Sequence, residues 1–190
     1  MRYTFTCRGG PMAAVDDIVL APDNRLKTEC EPIEEITQEV RDLAERMLED
    51  MYATEGCGLA APQVGELVQL VVIDVDYTKN KKNPYVLVNP RIVAADGEER
   101  ETGEGCLSFP GITVHIARPS HVVVEARNLE GDLMRYEAEG NLMAVCLQHE
   151  IDHLHGVTML DHLKPLQRAR MMHEYEQALA AGARPGEVGD

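Results

Sequence analysis

Apolar side chains recur at intervals of three and four residues in the first third of the chain, and acidic residues fill most positions between them. The apolar set is Ile33, Ile36, Val40, Leu43, Met47 and Met51. This period predicts an amphipathic helix with one buried face and one solvated face. Pro32 suits the first turn of this helix, and Gly56 with Gly58 ends it.

Short runs rich in valine, isoleucine and other strand-forming residues predict strands in the middle of the chain. They lie at residues 67–75, 85–88, 112–116, 121–127 and 133–137. The second run ends at Asn89-Pro90, and residues 128–132 predict a turn between the last two strands.

Helical periodicity returns from Leu142 to a capping glycine at Gly156, and again from Pro165 to Ala181. The order of helix, strands, helix and helix predicts an α+β fold. We expect mixed or antiparallel sheets packed around a central helix, the one that begins at Leu142, together with an N-terminal and a C-terminal helix.

The length of 190 residues is that of one domain with a proper core, so we expect a single domain over residues 1–190. Residues 1–17 are predicted to form an irregular N-terminal extension, in which Met12 is an alternative start to Met1. Residues 182–190 are predicted to form a flexible tail.

Charge and cysteine content exclude several classes of protein. With 18 basic and 33 acidic residues the formal net charge is −15, which argues against sequence-specific nucleic-acid binding as the main activity. No apolar run approaches the roughly 18 residues that span a bilayer, so no membrane partner is expected. Five scattered cysteines do not form the framework of a secreted disulfide protein. A reducing cytoplasm is the expected location.

The strongest chemical signal is the sequence His149-Glu150-Ile151-Asp152-His153, an H-E-x-x-H motif on the central predicted helix. Histidines four residues apart project from one helical face and can bind one metal ion. Glu150 lies beside the first histidine, where it can hold a proton from a metal-bound water.

A catalytic metal site of this type needs a third protein ligand and one open position. The metzincin pattern places a third histidine at residue 159, but that residue is Met159. A thermolysin-like site would use Glu174 or Glu176, and Cys106 in the segment 104–108 is the other candidate. Cys146 is also within reach of His149 by helical spacing, and plain core packing is its alternative interpretation.

Three segments together resemble the peptide deformylase family. The family's G-x-G-L-A-A-P-Q is matched by residues 56–63, its E-G-C-L-S by residues 104–108 and its Q-H-E-x-D-H by residues 148–153. All three are complete and in the family's order, and the resemblance covers most of residues 18–165.

The resemblance implies that Cys106, His149 and His153 bind the metal, with water in the fourth position. One thiolate and two imidazoles by themselves suggest zinc. The family implies Fe²⁺ as the physiological metal, one ion per chain, replaceable by Zn²⁺, Ni²⁺ or Co²⁺.

The activity implied by the resemblance is removal of the formyl group from the N-terminal formylmethionine of newly made polypeptides, with release of formate. In this scheme a metal-bound water attacks the formyl carbon, and Glu150 acts as general base and then as general acid. The Gln63 side chain and the Leu107 backbone N–H are expected to stabilise the oxyanion.

Substrate contacts are expected from a loop and from one helical face. The peptide would pair like an added strand with Gly56, Cys57, Gly58 and Leu59 and with Gly105, and its methionine would enter a pocket that includes Leu142, Val145 and Cys146. Glu104 and Arg118 match a family pair that braces the Cys106 loop.

The expected partners are N-formylmethionyl nascent chains, with a transient contact to the ribosome. Two competing interpretations remain open at this point. One is an H-E-x-x-H metallopeptidase that cuts internal peptide bonds, and the other is a catalytically silent relative that binds only metal or peptide. The intact Gln63, Glu150 and ligand trio argue against the silent relative.

Overall fold

A computed structural model describes residues 18–189, so the predictions for residues 1–17 and for the start at Met1 or Met12 lie outside the described residues. Helix α1 spans Gln38–Ala53, α2 spans Leu142–Leu154 and α3 spans Pro165–Ala180. The strands are β1 Gly58–Ala60, β2 Leu70–Ile73, β3 Tyr85–Glu104, β4 Val114–Arg127 and β5 Leu133–Glu139. No helix within residues 18–189 is both long and apolar enough to cross a membrane.

Helix α1 begins later than its apolar period predicts. Ile33 is buried, but its backbone N–H and C=O both bond to the side chain of Asn89, each at 2.8 Å, and the helix starts only after Thr37. The side-chain amide of Asn89 thus holds this segment in a conformation outside the helix. The period at Ile33 reflects burial in a loop, whereas from Val40 onward it reflects one face of α1.

The five strands form one sheet in sequence order, and every neighbouring pair is antiparallel. Strand β3 continues through Asn89-Pro90, where the sequence predicts its end, and its pairing with β4 shifts register in three places. Strand β4 is likewise one strand where two are predicted, because residues 117–119 pair with residues 99–101 of β3. The α+β prediction with an antiparallel sheet is confirmed.

Helices α1 and α2 pack on opposite faces of the sheet. Successive side chains of a strand point to opposite faces, so Leu70 and Val72 of β2 pack in the core with α1. Val71 and Ile73 of the same strand pack in the core with α2, whose Leu147 and Ile151 are buried there. This arrangement buries nearly the whole length of α2, including both histidines of its motif.

A third cluster lies beneath α3 and the segment that follows β3. Tyr175 of α3 is buried against Phe109, with ring centroids 5.2 Å apart, and its hydroxyl donates to the Ala21 carbonyl at 2.9 Å. This contact fixes the C-terminal helix against the segment 106–112, which carries Cys106.

The segment after α3, which the sequence predicts to be a flexible tail, makes hydrogen bonds to the segment that follows β3. The Gly111 N–H donates to the Glu187 carbonyl at 2.9 Å, and the Thr113 hydroxyl donates to the Gly189 carbonyl at 2.9 Å. The side chain of Val188 packs against Gly105. Hydrogen bonds to the backbone carbonyls of Glu187 and Gly189 thus hold this segment against residues 111–113. The sequence pattern does not reveal these bonds.

Candidate metal centre

Helix α2 places His149 and His153 one turn apart, with the edge of one ring toward the face of the other at an interplanar angle of 73°. The ring centroids are 5.1 Å apart, and the residues are only 7% and 1% exposed. The helix begins at a defined point because the side chain of Asn141 accepts a hydrogen bond from Ala144 N–H at 3.0 Å. The spacing of the motif and the burial of this face together direct both imidazoles inward.

Cys106 meets the two histidines from the turn after β3. Its Sγ is 3.3 Å from His153 Nε2, and one ligand atom from each of the three residues lies within 4.8 Å of the others. Tetrahedral coordination with ordinary zinc–sulfur and zinc–nitrogen bonds separates sulfur from nitrogen by about 3.6 Å. The three side chains therefore fit a metal ion of this size, as a thiolate and imidazole set that suits zinc or iron.

His149 is oriented by a carboxylate on its far side. Its Nδ1 is 2.8 Å from Glu104 Oε2, which leaves Nε2 for the metal. Burial opposes protonation of the ring, but hydrogen bonds with Cys106 and Glu104 raise the pKa of His149 well above its ordinary value. Burial lowers the pKa of His153, and its Nδ1 has no partner within the described residues.

Glu104 is in turn held by Arg118, the partner that the resemblance implies. The guanidinium Nε and Nη2 donate to the two carboxylate oxygens at 2.5 and 3.0 Å, with both side chains almost fully buried. Burial opposes ionisation of Glu104, but bonds from His149 and Arg118 lower the pKa of this carboxyl group. A chain of contacts thus runs from Arg118 through Glu104 to His149, one of the three candidate metal ligands.

Asp152 and His162 extend this chain, and neither was singled out from the sequence. Arg118 Nη1 donates to Asp152 Oδ2 at 2.9 Å, and His162 Nε2 lies 2.8 Å from the same oxygen. Asp152 is one of the motif residues matched in the segment 148–153. Its position in that motif was the sequence signal that could have marked it as part of the site. His162 lies in the turn Met159–His162, and no motif marks it.

Glu150 is buried next to the three ligand candidates. It is 5% exposed, and its Oε2 has no hydrogen-bond partner among residues 18–189. Burial raises the pKa of Glu150 to about 8. A carboxylate in this setting can take up and release a proton near neutral pH.

Gln63 reaches the same point from the 3-10 turn Ala61–Val64. Its Oε1 accepts from the Ala60 N–H at 2.9 Å, so the amide NH₂ group points the other way, 3.5 Å from Cys106 Sγ. The same NH₂ lies 3.2 Å from Ser108 Oγ. The Leu107 backbone N–H makes no hydrogen bond to residues 18–189. Two donors are thus available beside the ligand group.

The residues predicted to hold a peptide lie in the turn before β1, in β1 itself and directly after β3. Gly56 and Cys57 form a turn that leads into β1, and within residues 18–189 β1 pairs with β2 alone, at one edge of the sheet. Gly105 is exposed, but the Leu59 side chain points away into the core with α1.

Two of the three residues predicted to border the methionine side chain line one cavity. Leu142 and Val145 line a cavity of about 300 Å³ together with Thr102 and Pro119. Cys146 does not line it, and its Sγ lies 3.9 Å from the Sγ of Cys57 instead. A larger hollow of about 430 Å³, at Asn89 and Arg127, contains none of the metal-ligand candidates.

The structure distinguishes between the third ligands left open by the sequence. Glu174 pairs with Arg170 along α3 at 2.8 Å, and Glu176 is exposed on the same helix. Met159 is buried in the core with Tyr175. Among the described residues, the group that can hold a metal consists of Cys106, His149 and His153. Glu174, Glu176 and Cys146 do not belong to it.

Comparison with known proteins agrees with this geometry. The profile of the family described as polypeptide deformylase matches residues 15–169. A peptide deformylase of Acinetobacter baumannii (strain SDF) is 46% identical over 160 residues, which cover 84% of this chain and 89% of the relative.

Solved structures give the same assignment. A crystal structure of a peptide deformylase from Legionella pneumophila superposes with a TM-score of 0.79 at 38% identity, covering 87% of this chain and 96% of that one. The deformylase of Ehrlichia chaffeensis in complex with actinonin gives 0.77 at 36% identity, covering 85% and 95%. The profile match, the identity and the shared fold together place this chain in the polypeptide deformylase family.

Proposed function

We propose that the protein hydrolyses the formyl amide at the N-terminal formylmethionine of newly made polypeptides and releases formate and a free amino group. The observation that carries this proposal is the group Cys106, His149 and His153 with Glu150 buried beside it. Membership of the polypeptide deformylase family supports the choice of substrate. We take residues 1–190 to form one catalytic domain.

Cys106, His149 and His153 would hold the metal, and we propose Fe²⁺ as the native ion, with Zn²⁺, Ni²⁺ or Co²⁺ able to replace it. The ion would supply Lewis acidity toward water and toward the formyl oxygen. The thiolate of Cys106 adds negative charge to the ligand set, and the Glu104 carboxylate holds His149 in the tautomer that presents Nε2.

Proton transfer falls to Glu150. Its carboxylate takes a proton from the attacking water and then gives that proton to the departing amine. Burial supports both steps, because it raises the pKa of Glu150 to about 8, so that the carboxyl group can both accept and release a proton near neutral pH. The free Oε2 within the described residues is the atom available for this transfer.

The charge that develops on the formyl oxygen needs hydrogen-bond donors, and Gln63 and Leu107 are positioned to provide them. The Gln63 amide is fixed by its bond from Ala60, so its NH₂ group needs little rearrangement to donate. The Leu107 N–H has no competing partner among residues 18–189.

For the peptide, we propose pairing with the edge strand β1 and with Gly105. An edge strand has unpaired backbone groups on one side, and a peptide can add to it as a further strand. The turn residues Gly56 and Cys57 and the first residue of β1, Gly58, would approach the substrate backbone. Leu142, Val145 and Cys146 would border the methionine side chain.

Nascent chains carry this substrate, so we further propose cytoplasmic action with a transient contact to the ribosome. The basic residues on α3 provide little charge for a tight contact. Arg170 pairs with Glu174, and Arg168 binds the carbonyls of Leu160 and Asp161.

The test is formate release from a short N-formyl-Met peptide by protein loaded with Fe²⁺ without oxygen. We expect rapid release, none from the acetylated peptide, and inhibition by actinonin, which is bound in the Ehrlichia chaffeensis relative. No release from protein with confirmed metal content would contradict the proposal and favour a silent relative. Digestion of casein would instead favour a metallopeptidase.

A further inference from the structure

A pair of thiols lies beside the candidate metal centre and is not among the three residues that could hold the metal. Cys57 is half-buried in the turn before β1, and Cys146 is buried on α2. Their sulfur atoms are 3.9 Å apart, and Cys146 Sγ is also 3.6 Å from the Cys57 carbonyl oxygen. These residues are far apart in sequence, so only the fold brings them together.

The distance is short enough for a covalent bond after a small movement. A disulfide bond is about 2.05 Å long, so the two sulfur atoms must approach by about 2 Å. Cys57 lies in a turn, whereas Cys146 lies in helix α2. The side chain of Cys57 can therefore reorient more readily than that of Cys146. The hydrogen bond from Cys146 lowers the pKa of Cys57 to about 7, which favours the nucleophilic thiolate there.

We propose that Cys57 and Cys146 form a redox modification site, which hydrogen peroxide converts to a reversible disulfide that blocks the active site. The Cys57 thiolate attacks peroxide, the O–O bond breaks, and Cys57 sulfenic acid forms, while the departing hydroxide takes up the proton that the thiol released on ionisation and becomes one water. Cys146 then attacks that sulfur and displaces the oxygen as a second water. Two thiols and one peroxide thus give one disulfide and two waters, and a dithiol reverses the oxidation.

The bond blocks the site because of what lies next to it. Gly58 follows Cys57 directly and packs against both Glu150 and Cys146. A disulfide draws the start of β1 toward α2 at this point, so it changes the space at Glu150 and fixes the turn that we assign to substrate. This part of the inference rests on the proposed function, whereas formation of the bond does not.

The experiment treats Zn²⁺-loaded protein with hydrogen peroxide, because Zn²⁺ has no redox chemistry of its own. Trypsin separates the cysteines, with Cys57 in residues 47–79, Cys146 in residues 136–168 and Cys106 in residues 101–127. Mass spectrometry without reduction therefore identifies which peptides are joined. Formate release is measured on the same samples before oxidation, after it, and after dithiothreitol.

We expect a joined 47–79 and 136–168 pair, together with loss of most formate release and its recovery in dithiothreitol. The activity of each of the variants C57S and C146S is compared before and after peroxide treatment of that same variant. Neither variant should form the joined peptides, and neither should show inhibition that dithiothreitol reverses. The matched control is C30S, since Cys30 is a buried thiol whose hydrogen bond is to the Thr28 carbonyl rather than to another thiol. This variant should still form the pair.

Absence of the joined peptides at peroxide doses that oxidise the protein would overturn the proposal. Equal, dithiothreitol-reversible inhibition of C57S would also overturn it, because Cys106 would then be the target. Joined peptides in fully active protein would overturn the blocking role. A protein that never releases formate contradicts the proposed function, and the peptide readout still decides whether the disulfide forms.

Discussion

Gly58 lies so close to Glu150 that a methyl group on Gly58 would be 2.6 Å from Glu150 Oε1. The same methyl would be 2.7 Å from Cys146 Sγ. Only a residue without a Cβ allows β1 to approach α2 this closely. The backbone of the edge strand is therefore in direct contact with the proposed general base.

Replacing Gly58 by alanine is expected to displace Glu150 and to lower both stability and activity. Overpacking of this kind costs about 1–3 kcal/mol of unfolding free energy. Chemical denaturation and formate release measure the two effects. The matched control is Gly103→Ala on an exposed part of β3, whose added methyl would meet the Thr113 side chain at 3.0 Å and the His115 ring at 3.6 Å. A Gly58→Ala protein as active and stable as the control would contradict the close packing.

The substitution Glu150→Gln removes the proton acceptor and keeps the shape of the side chain. We expect formate release to fall by about 10²–10⁴-fold, which is the usual contribution of a positioned acid or base. Metal content, measured on the same preparation, should stay at one ion per chain because Glu150 is not in the ligand group. Glu176→Gln, an exposed change on α3, is the control. Activity within a few-fold of the unmodified protein would exclude Glu150 as the base.

The contact between Arg118 and Glu104 is expected to control metal affinity. Arg118→Lys keeps the charge but loses the bidentate hydrogen bonds to Glu104, so Glu104 no longer holds His149 firmly. Loss of such an outer partner typically weakens metal binding by about 10–100-fold. Competition with a chromogenic chelator measures the affinity for Zn²⁺. Arg91→Lys, which alters an exposed pair with Glu125 on the same sheet, should leave that affinity unchanged.

Metal binding is expected to weaken as the pH falls. In the metal-free protein the pKa of His149 is raised above its ordinary value, so the ring holds a proton that the metal must displace. Below that pKa the affinity should drop about tenfold per pH unit for each proton displaced. Zn²⁺ affinities at pH 6 and pH 8 test this direction, with His173→Ala on exposed α3 as the control. Equal affinities at the two values would show that His149 is already neutral.

The sequence predicts α2 and the placement of its two histidines on one buried face, because local spacing determines both. The interval between His149 and His153 equals one helical turn, and the apolar residues around them bury that face. The extent of β3 could not be predicted in the same way. Asn89-Pro90 is a turn signal, and residues 96–101 are mostly charged and exposed, so only pairing with β4 shows that the strand continues.

The contacts around the ligands depend on the tertiary fold. The motif names Glu104 and the resemblance names Arg118, but neither shows that Glu104 reaches His149 Nδ1. His162 lies outside every motif, and its contact with Asp152 follows from how the chain turns after α2. The proximity of Cys57 to Cys146 also depends on the tertiary fold, because it requires β1 to lie directly against α2.

The return of residues 187–189 to Gly111 and Thr113 has a practical consequence for protein engineering. A polypeptide attached after Gly189 begins at the Thr113 hydroxyl, next to the segment that carries Cys106. Val188, which packs against Gly105, is the last described side chain before that attachment point. A fusion partner or affinity tag attached here therefore starts beside Gly105, where its first residues would compete for space with the peptide that we propose pairs there.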